Sequence, residues 1–225
     1  MEICVINLMR LGDLVQTTPV LRRLRAAYPG ARLTLVAMDL FQETAGLAPE
    51  ADRVVAFPSA LLAAALERDH GWAEAVRLLW EWRRDVLPRP PRLTVNLTPN
   101  LLGGILAYLT GAGAVRGLTV GPDRLVFTHP AWTSYALIVS RARAANPFNL
   151  VDLFLKGAGL DPDGLGLSLQ VPETARRQVE RARGELGLSE NTALVGLVPG
   201  ASRPERQWPA ESLAQAAGLL LQRRP

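Results

Sequence analysis

Two short stretches hold the side chains best suited to chemistry. Arg10-Leu11-Gly12-Asp13 follows an apolar run, Glu2 to Leu8, and places a guanidinium, a glycine and a carboxylate side by side. In an open α/β sheet, ligands bind beyond the carboxyl ends of the strands, so Asp13 stands where a reacting group would be met. Gly12 there would let backbone come close to a ligand. Asp13 could equally do no more than complement a helix N-terminus. The second stretch is Pro199 to Trp208. Its small residues Gly200 and Ala201 leave backbone N–H groups free to face an anion, Ser202 adds a hydroxyl, and Arg203 and Arg206 add charge. With the dipole of the following helix, such a loop suits a phosphate or diphosphate. The plainer reading is a helix-entry loop with solvated arginines.

Other chemistries find little support. The first turn has one glycine, Gly12, and so lacks the G-x-G-x-x-G spacing that cradles a dinucleotide, which argues against an NAD or FAD enzyme. No Gly-Lys-Ser/Thr follows Gly200, and no G-x-S-x-G elbow occurs. His70 and His129 lack neighbours at metal-ligand spacing, so no metal site is expected. Cys4 lies inside the first strand and reads as packing. Trp72, Trp80 and Trp82 read as helix packing, and Asn96 and Asn100 as turn formers or sugar ligands.

Both stretches need a scaffold to hold them. Glu2 to Leu8 reads as a buried parallel strand and Leu33 to Met38 as a second. Between them Val20, Leu21, Leu24 and Tyr28 share one helix face, with Arg22, Arg23 and Arg25 outside. Thr18-Pro19 either opens that helix or kinks one that begins near Asp13. This β-α-β unit implies a right-handed crossover and a doubly wound parallel sheet. Strands are expected at Arg53–Phe57, Leu93–Leu97 and Ala114–Leu118. Helices are expected at Ala60–Glu67, Trp72–Asp85, Leu101–Leu109, Trp132–Ala145 and Leu150–Ala158. An extended run, Leu165 to Val171, ends at Pro172. We read 1–159 as one Rossmann-like domain, 160–172 as a connection and 173–225 as the start of a second. That start holds a helix at Glu173–Leu186, a buried strand at Ala193–Val198 and a helix at Pro209–Leu221. One strand cannot form a sheet core, so the second domain reads as incomplete.

Composition agrees with an ordinary globular α/β protein: 225 residues, 48% hydrophobic, 20% charged, mean hydropathy +0.11. One cysteine excludes an internal disulfide framework, and the N-terminus shows no secretory signal, so a cytoplasmic protein is expected. The pI near 10.0 overstates a net charge of only +4. Lys156 is the sole lysine and the other basic residues are arginines spread along the chain, read mostly as solvated helix faces, with no DNA-binding motif. The uncharged run Leu93–Val115 is broken by Asn96, Pro99, Asn100 and Gly103-Gly104, so it reads as strand, loop and helix rather than a membrane span.

Taken in order, Ile3 to Leu24 resembles the opening of glycosyltransferase family 9, the ADP-heptose:lipopolysaccharide heptosyltransferases. Val198-Pro199-Gly200-Ala201-Ser202 with Arg206-Gln207-Trp208-Pro209 resembles the start of that family's C-terminal domain, and Asn146 to Asp152 also fits. The resemblance runs the whole length of the chain. It implies a GT-B architecture: two Rossmann-like domains, the first facing a lipid-linked acceptor and the second holding a nucleotide sugar. It implies an inverting, metal-independent transfer of heptose from ADP-heptose to the lipopolysaccharide inner core, without a cofactor. Asp13 matches the family's general base. Arg10 and Gly12 fall on the acceptor side, while Gly200, Ala201, Ser202 and Arg206 fall at the donor diphosphate, Arg206 where lysine is frequent. The implied partners are ADP-heptose, a lipid A-core acceptor and the inner membrane, touched peripherally at its cytoplasmic face. The family continues for roughly a hundred residues more, so the second domain is expected to be truncated here. A GT-B enzyme using another nucleotide sugar, or a non-catalytic sugar- or lipid-binding remnant, are the alternatives.

Overall fold

A computed structural model describes the chain except residues 122, 129, 140–143, 145, 163, 165, 190, 202 and 223–225. It divides into two compact units, Met1–Pro172 and Glu173–Pro225.

The first unit is built on β1 (Glu2–Asn7), β2 (Arg32–Met38), β3 (Arg53–Phe57), β4 (Leu93–Asn96), β5 (Ala114–Val120) and β6 (Leu125–Phe127), in the order β3-β2-β1-β4-β5-β6. The first five run parallel; β6 returns antiparallel to β5 and was not foreseen. Its two exposed residues and short length gave no alternation to read. Side chains alternate across each strand, so β1 feeds two cores. Ile3 and Val5 meet Leu33, Leu35 and Val95 beneath the helices α2 (Thr18–Ala27) and α8 (Leu150–Gly157). Cys4 and Ile6 meet Val36, Val55 and Phe57 beneath α4 (Ser59–Leu66), α5 (Trp72–Val86) and α6 (Leu101–Leu109). Each fully buried aliphatic side chain contributes about 1.5–3 kcal/mol, so both faces must be covered for β1 to be stable.

The segment after β1 resolves the Thr18-Pro19 ambiguity. A short α1 (Leu11–Val15) forms, the chain breaks at Gln16 and Thr17, and α2 starts with Pro19 as its second residue, where no backbone N–H is needed. The turn expected at Met9–Gly12 is therefore already helical at its end. Several arginines read as solvated are not. Arg25 donates to the Ala31 carbonyl at 2.6 Å and to Asp52 at 2.6 Å. Arg83 donates to the Leu109 carbonyl at 3.1 Å, beyond the last hydrogen-bonded turn of α6. Both satisfy carbonyls that would otherwise lack partners. The remaining elements are α3 (Gln42–Ala45), after a 3₁₀ turn at Asp39–Phe41, and α7 (Pro130–Val139). The expected helical extension from Ser140 to Ala145 falls largely outside the described residues, as do His129, Asp163 and Ser202.

Leu165 lies outside the described residues, and the rest of that expected extended run, 166–171, forms no strand pairing. It lies along the first unit as a strap: Arg22 donates to the Gly166 carbonyl at 2.8 Å, the Ser168 amide to Thr18 Oγ1 at 3.1 Å, and the Gln170 amide to the Leu47 carbonyl at 2.7 Å.

The second unit holds α9 (Glu173–Glu185), a 3₁₀ turn at Pro204–Arg206 and α10 (Ala210–Gln222). The buried strand expected at Ala193–Val198 is absent: the segment is irregular, with Val195 66% and Val198 83% exposed. Among the described residues of this unit no other strand exists to pair with it. An apolar run alone does not make a strand, because its backbone N–H and C=O groups need a ladder.

Candidate active site

The sheet order changes direction between β1 and β4, since the chain leaves β1 for β2 on one side and later returns to place β4 on the other. A crevice opens at the carboxyl ends of strands flanking such a switch. Here it holds a cavity of about 360 Å³, whose rim and floor include Met9, Asp13, Asn96, Gly117, Thr133 and Asn146.

Asp13 is positioned from below. Asn7 is fully buried at the end of β1, and its Nδ2 donates to the Asp13 carbonyl at 3.2 Å and to Thr17 Oγ1 at 2.6 Å. Its Oδ1 accepts from the Met9 amide at 2.9 Å. The Leu8 amide donates to Thr98 Oγ1 at 2.8 Å, tying the loop after β1 to the loop after β4. This polar frame fixes the α1 backbone while leaving the carboxylate itself largely unengaged. The Asp13 carboxylate accepts one long bond, 3.3 Å, from the Arg10 amide. An ionised carboxylate has about four lone-pair sites, so most of its accepting capacity faces outward.

A second carboxylate follows β2 at the same sheet edge, and it behaves differently. Asp39 accepts from Ser59 Oγ at 2.5 Å and from the Leu40 and Ala60 amides. Partial burial works against its ionisation, but these bonds outweigh burial and hold its carboxyl below the usual carboxylate range. Asp39 organises the start of α4, whereas Asp13 is available to a ligand. Burial pushes the Cys4 thiol up to about 12, which leaves it inert, as its place in β1 suggested.

The β4–β5 wall depends on glycine at one point. Gly117 has φ +97°, and a Cβ there would lie 2.1 Å from the Asn96 carbonyl oxygen. That close approach lets Asn96 Nδ2 reach the Leu118 carbonyl at 2.7 Å, while Asn96 Oδ1 accepts from the Thr98 amide at 2.9 Å. Asn96 is thus a strut between β5 and the loop after β4. Asn100 caps α6 through the Gly103 amide at 2.9 Å.

Solved structures share this fold. The chain superposes on the crystal structure of the glycosyl transferase family 9 from Veillonella parvula DSM 2008 with a TM-score of 0.73 at 24% identity, covering 97% of this chain and 59% of that one. The fold is that of the family 9 glycosyltransferases. E. coli ADP-heptose lps heptosyltransferase II follows with a TM-score of 0.61 at 16% identity, covering 99% of this chain and 62% of its own. E. coli heptosyltransferase WaaC with ADP-2-deoxy-2-fluoro heptose gives 0.60 at 17% identity, covering 98% and 65%. The chain thus spans about three fifths of the length of these neighbours. No family model and no curated sequence matches it.

Of the residues singled out in sequence, Asp13 lines the cavity, while Gly12 and Arg10 sit beside it in the chain and are not among the lining residues. A Cβ at Gly12 would meet nothing within 4 Å, so no protein neighbour requires glycine there. Arg10 is exposed and forms no ion pair among the described residues. Gly200, Ala201 and Arg206 belong to the second unit. There the loop is held by Gln207 Nε2 donating to the Ala201 carbonyl at 2.9 Å, and Gly200 and Arg206 are exposed. Ser202 lies outside the described residues. Among the described residues no three His, Cys, Asp or Glu come together as metal ligands, and no helix is long and apolar enough to cross a membrane. Sequence reasoning missed Asn7, Thr17 and Thr98. A polar residue closing an apolar strand run is the signal that could have found Asn7.

Proposed function

We propose that the protein belongs to an inverting, metal-independent glycosyltransferase that moves heptose from ADP-heptose to a hydroxyl of the lipopolysaccharide inner core. The observation that carries this reading is the largely unengaged Asp13 carboxylate at the mouth of the switch-point cavity. Asp13 takes the proton of the acceptor hydroxyl as that oxygen attacks the anomeric carbon. The bond from that carbon to the diphosphate oxygen breaks, and ADP leaves with the electron pair. Gly200 and Ala201 backbone amides, Ser202 and Arg206 would offset the growing charge on the diphosphate. Residues 1–159 would serve the acceptor, 160–172 would connect, and 173–225 would begin the donor domain. On this reading the protein would work in the cytoplasm and touch the inner membrane peripherally to reach its lipid-linked acceptor.

Asp13→Asn tests the reading, because it keeps the size of the side chain and removes the base. With ADP-heptose and a lipid A-core acceptor, turnover should fall about 10²–10⁴-fold while donor affinity stays within a factor of about two. Turnover close to wild type in Asp13→Asn would show that another group is the base. Turnover by the wild-type protein with UDP- or GDP-sugars but not ADP-heptose would move the donor assignment and leave the base in place.

A further inference from the structure

The helix that carries Asp13 is too short to hold its own shape. α1 has five residues, and isolated helices shorter than about 12–15 residues are marginal in water. Its final carbonyls therefore need partners from outside the helix. The Asp13 carbonyl accepts from Asn7 Nδ2 and from Thr17 Oγ1 at 3.3 Å. The Leu14 carbonyl accepts from the Thr17 amide at 3.0 Å. The last one, on Val15, accepts from Thr18 Oγ1 at 3.0 Å.

Thr18 is 1% exposed, and its hydroxyl has a second partner 150 positions along the chain. The oxygen accepts from the Ser168 amide at 3.1 Å, in the middle of the strap. A hydroxyl has one proton to donate and two lone pairs, so it serves both neighbours at once. Hydrogen bonds in such a chain polarise one another, and the Ser168 amide makes Thr18 a better donor to Val15. The strap is also the covalent path between the two compact units, because Pro172 ends the first and Glu173 opens the second. On either side of Ser168 it is pinned independently, by Arg22 at the Gly166 carbonyl and by the Leu47 carbonyl at the Gln170 amide. One buried oxygen atom thus joins the link between the units to the helix that bears the carboxylate.

We propose that Thr18 is a positioning residue for Asp13: seating of the strap on Thr18 sets α1, and with it the place of the carboxylate. This role rests on the reading of Asp13 as the base, and adds what holds that base in register. With the strap lifted, the Thr18 hydroxyl is free to turn away from Val15, and α1 frays from its C-terminal end. A reacting group misplaced by about 1 Å can cost on the order of 10²-fold in rate.

The test reads α1 and turnover separately, both on the whole chain. Hydrogen exchange follows the Leu14 and Gln16 amides, whose bonds to the Arg10 and Gly12 carbonyls build α1. Thr18→Val removes the hydroxyl, and both amides should exchange about fivefold faster or more. Its kcat should fall about 10- to 100-fold while KM for donor and acceptor stays within about threefold. Thr18→Ser returns the hydroxyl and should rescue exchange and kcat together. Arg22 bonds the strap and not α1, so Arg22→Ala loosens the strap alone. It should still speed the Leu14 and Gln16 amides about threefold or more, and it carries the test should Thr18→Val fail to fold. Wild-type exchange at those two amides in Arg22→Ala overturns the proposal, as does an equal rise at the Val5 amide of β1, which would mark general loss of stability. Wild-type kcat in Thr18→Val, where Asp13→Asn is inactive, overturns it too. If exchange shows the coupling but Asp13→Asn keeps full turnover, the base assignment falls and the tether stands; if the coupling is missing while Asp13→Asn is inactive, the reverse holds.

Discussion

The loop after β1 and the loop from Pro199 to Trp208 are both short, polar and placed before helices, yet the first is held from several directions and the second from one. Asn7, Thr17 and Thr98 anchor the Asp13 loop to two neighbouring strands, and these anchors are buried. The Pro199–Trp208 loop has the Gln207–Ala201 bond and its own 3₁₀ turn, with most of its residues exposed. A site that depends on exact placement of one carboxylate needs the first kind of support. On the proposed reading, the second loop would meet a diphosphate through several amides and a guanidinium, and contacts so numerous tolerate looser support.

Substitutions that remove charge or space at matched positions would sharpen or break that contrast. The largest effects are on rate. Against the Asp13→Asn loss, Arg206→Ala should lower turnover about 10²–10³-fold and also weaken ADP-sugar binding, since the diphosphate is anionic before it departs. Separate titration of donor and steady-state kinetics distinguish the two. A loss of kcat with unchanged donor affinity in Arg206→Ala would break the assignment of that loop to the diphosphate.

Next come the glycines. Gly117→Ala meets the Asn96 carbonyl at 2.1 Å in a backbone region hostile to a side chain. It should destabilise the chain by about 3 kcal/mol or more, read from urea unfolding. Gly200→Ala meets nothing within 4 Å and should change stability by no more than about 0.5 kcal/mol. Equal costs at the two positions would remove the distinction between an over-determined loop and a permissive one.

The smallest effect is electrostatic and lies at the amino edge of the sheet. The Leu33 amide and the Arg25 guanidinium hold the Asp52 carboxyl below its usual range. A depressed folded pKa gives stability that is present above the unfolded value, about 3.9, and is lost as pH falls through the folded one. Asp52→Ala should therefore lower the melting temperature by a few degrees near pH 6 and by progressively less below about pH 4. A difference that stayed constant through that acid range would mean that packing, not ionisation, carries the contribution of Asp52.

Much of the fold is legible in the sequence. The apolar runs of β1, β2 and β4 and the helix face Val20–Leu21–Leu24 identify a doubly wound sheet, because burial on both faces leaves continuous apolar strands and the covering helix an apolar stripe. Asp13 followed directly, since the residue after such a strand must lie at its carboxyl edge. Pairing was not visible. Ala193–Val198 has the composition of a strand but no ladder, and β6 has a ladder without the composition, because hydrogen-bonded partners come from elsewhere in the chain. The same limit hid the roles of the polar residues. The bonds of Asn96 to Leu118 and Thr98, and those of Asn7 to Asp13 and Thr17, have no counterpart in the local sequence. Local sequence determined the first five strands with their covering helices and where the carboxylate emerges, since those depend on apolar patterning and chain order. Tertiary structure alone decided which polar groups are already satisfied, and so which remain to meet a substrate, because a hydrogen bond between residues 10 or 90 positions apart has no local signature.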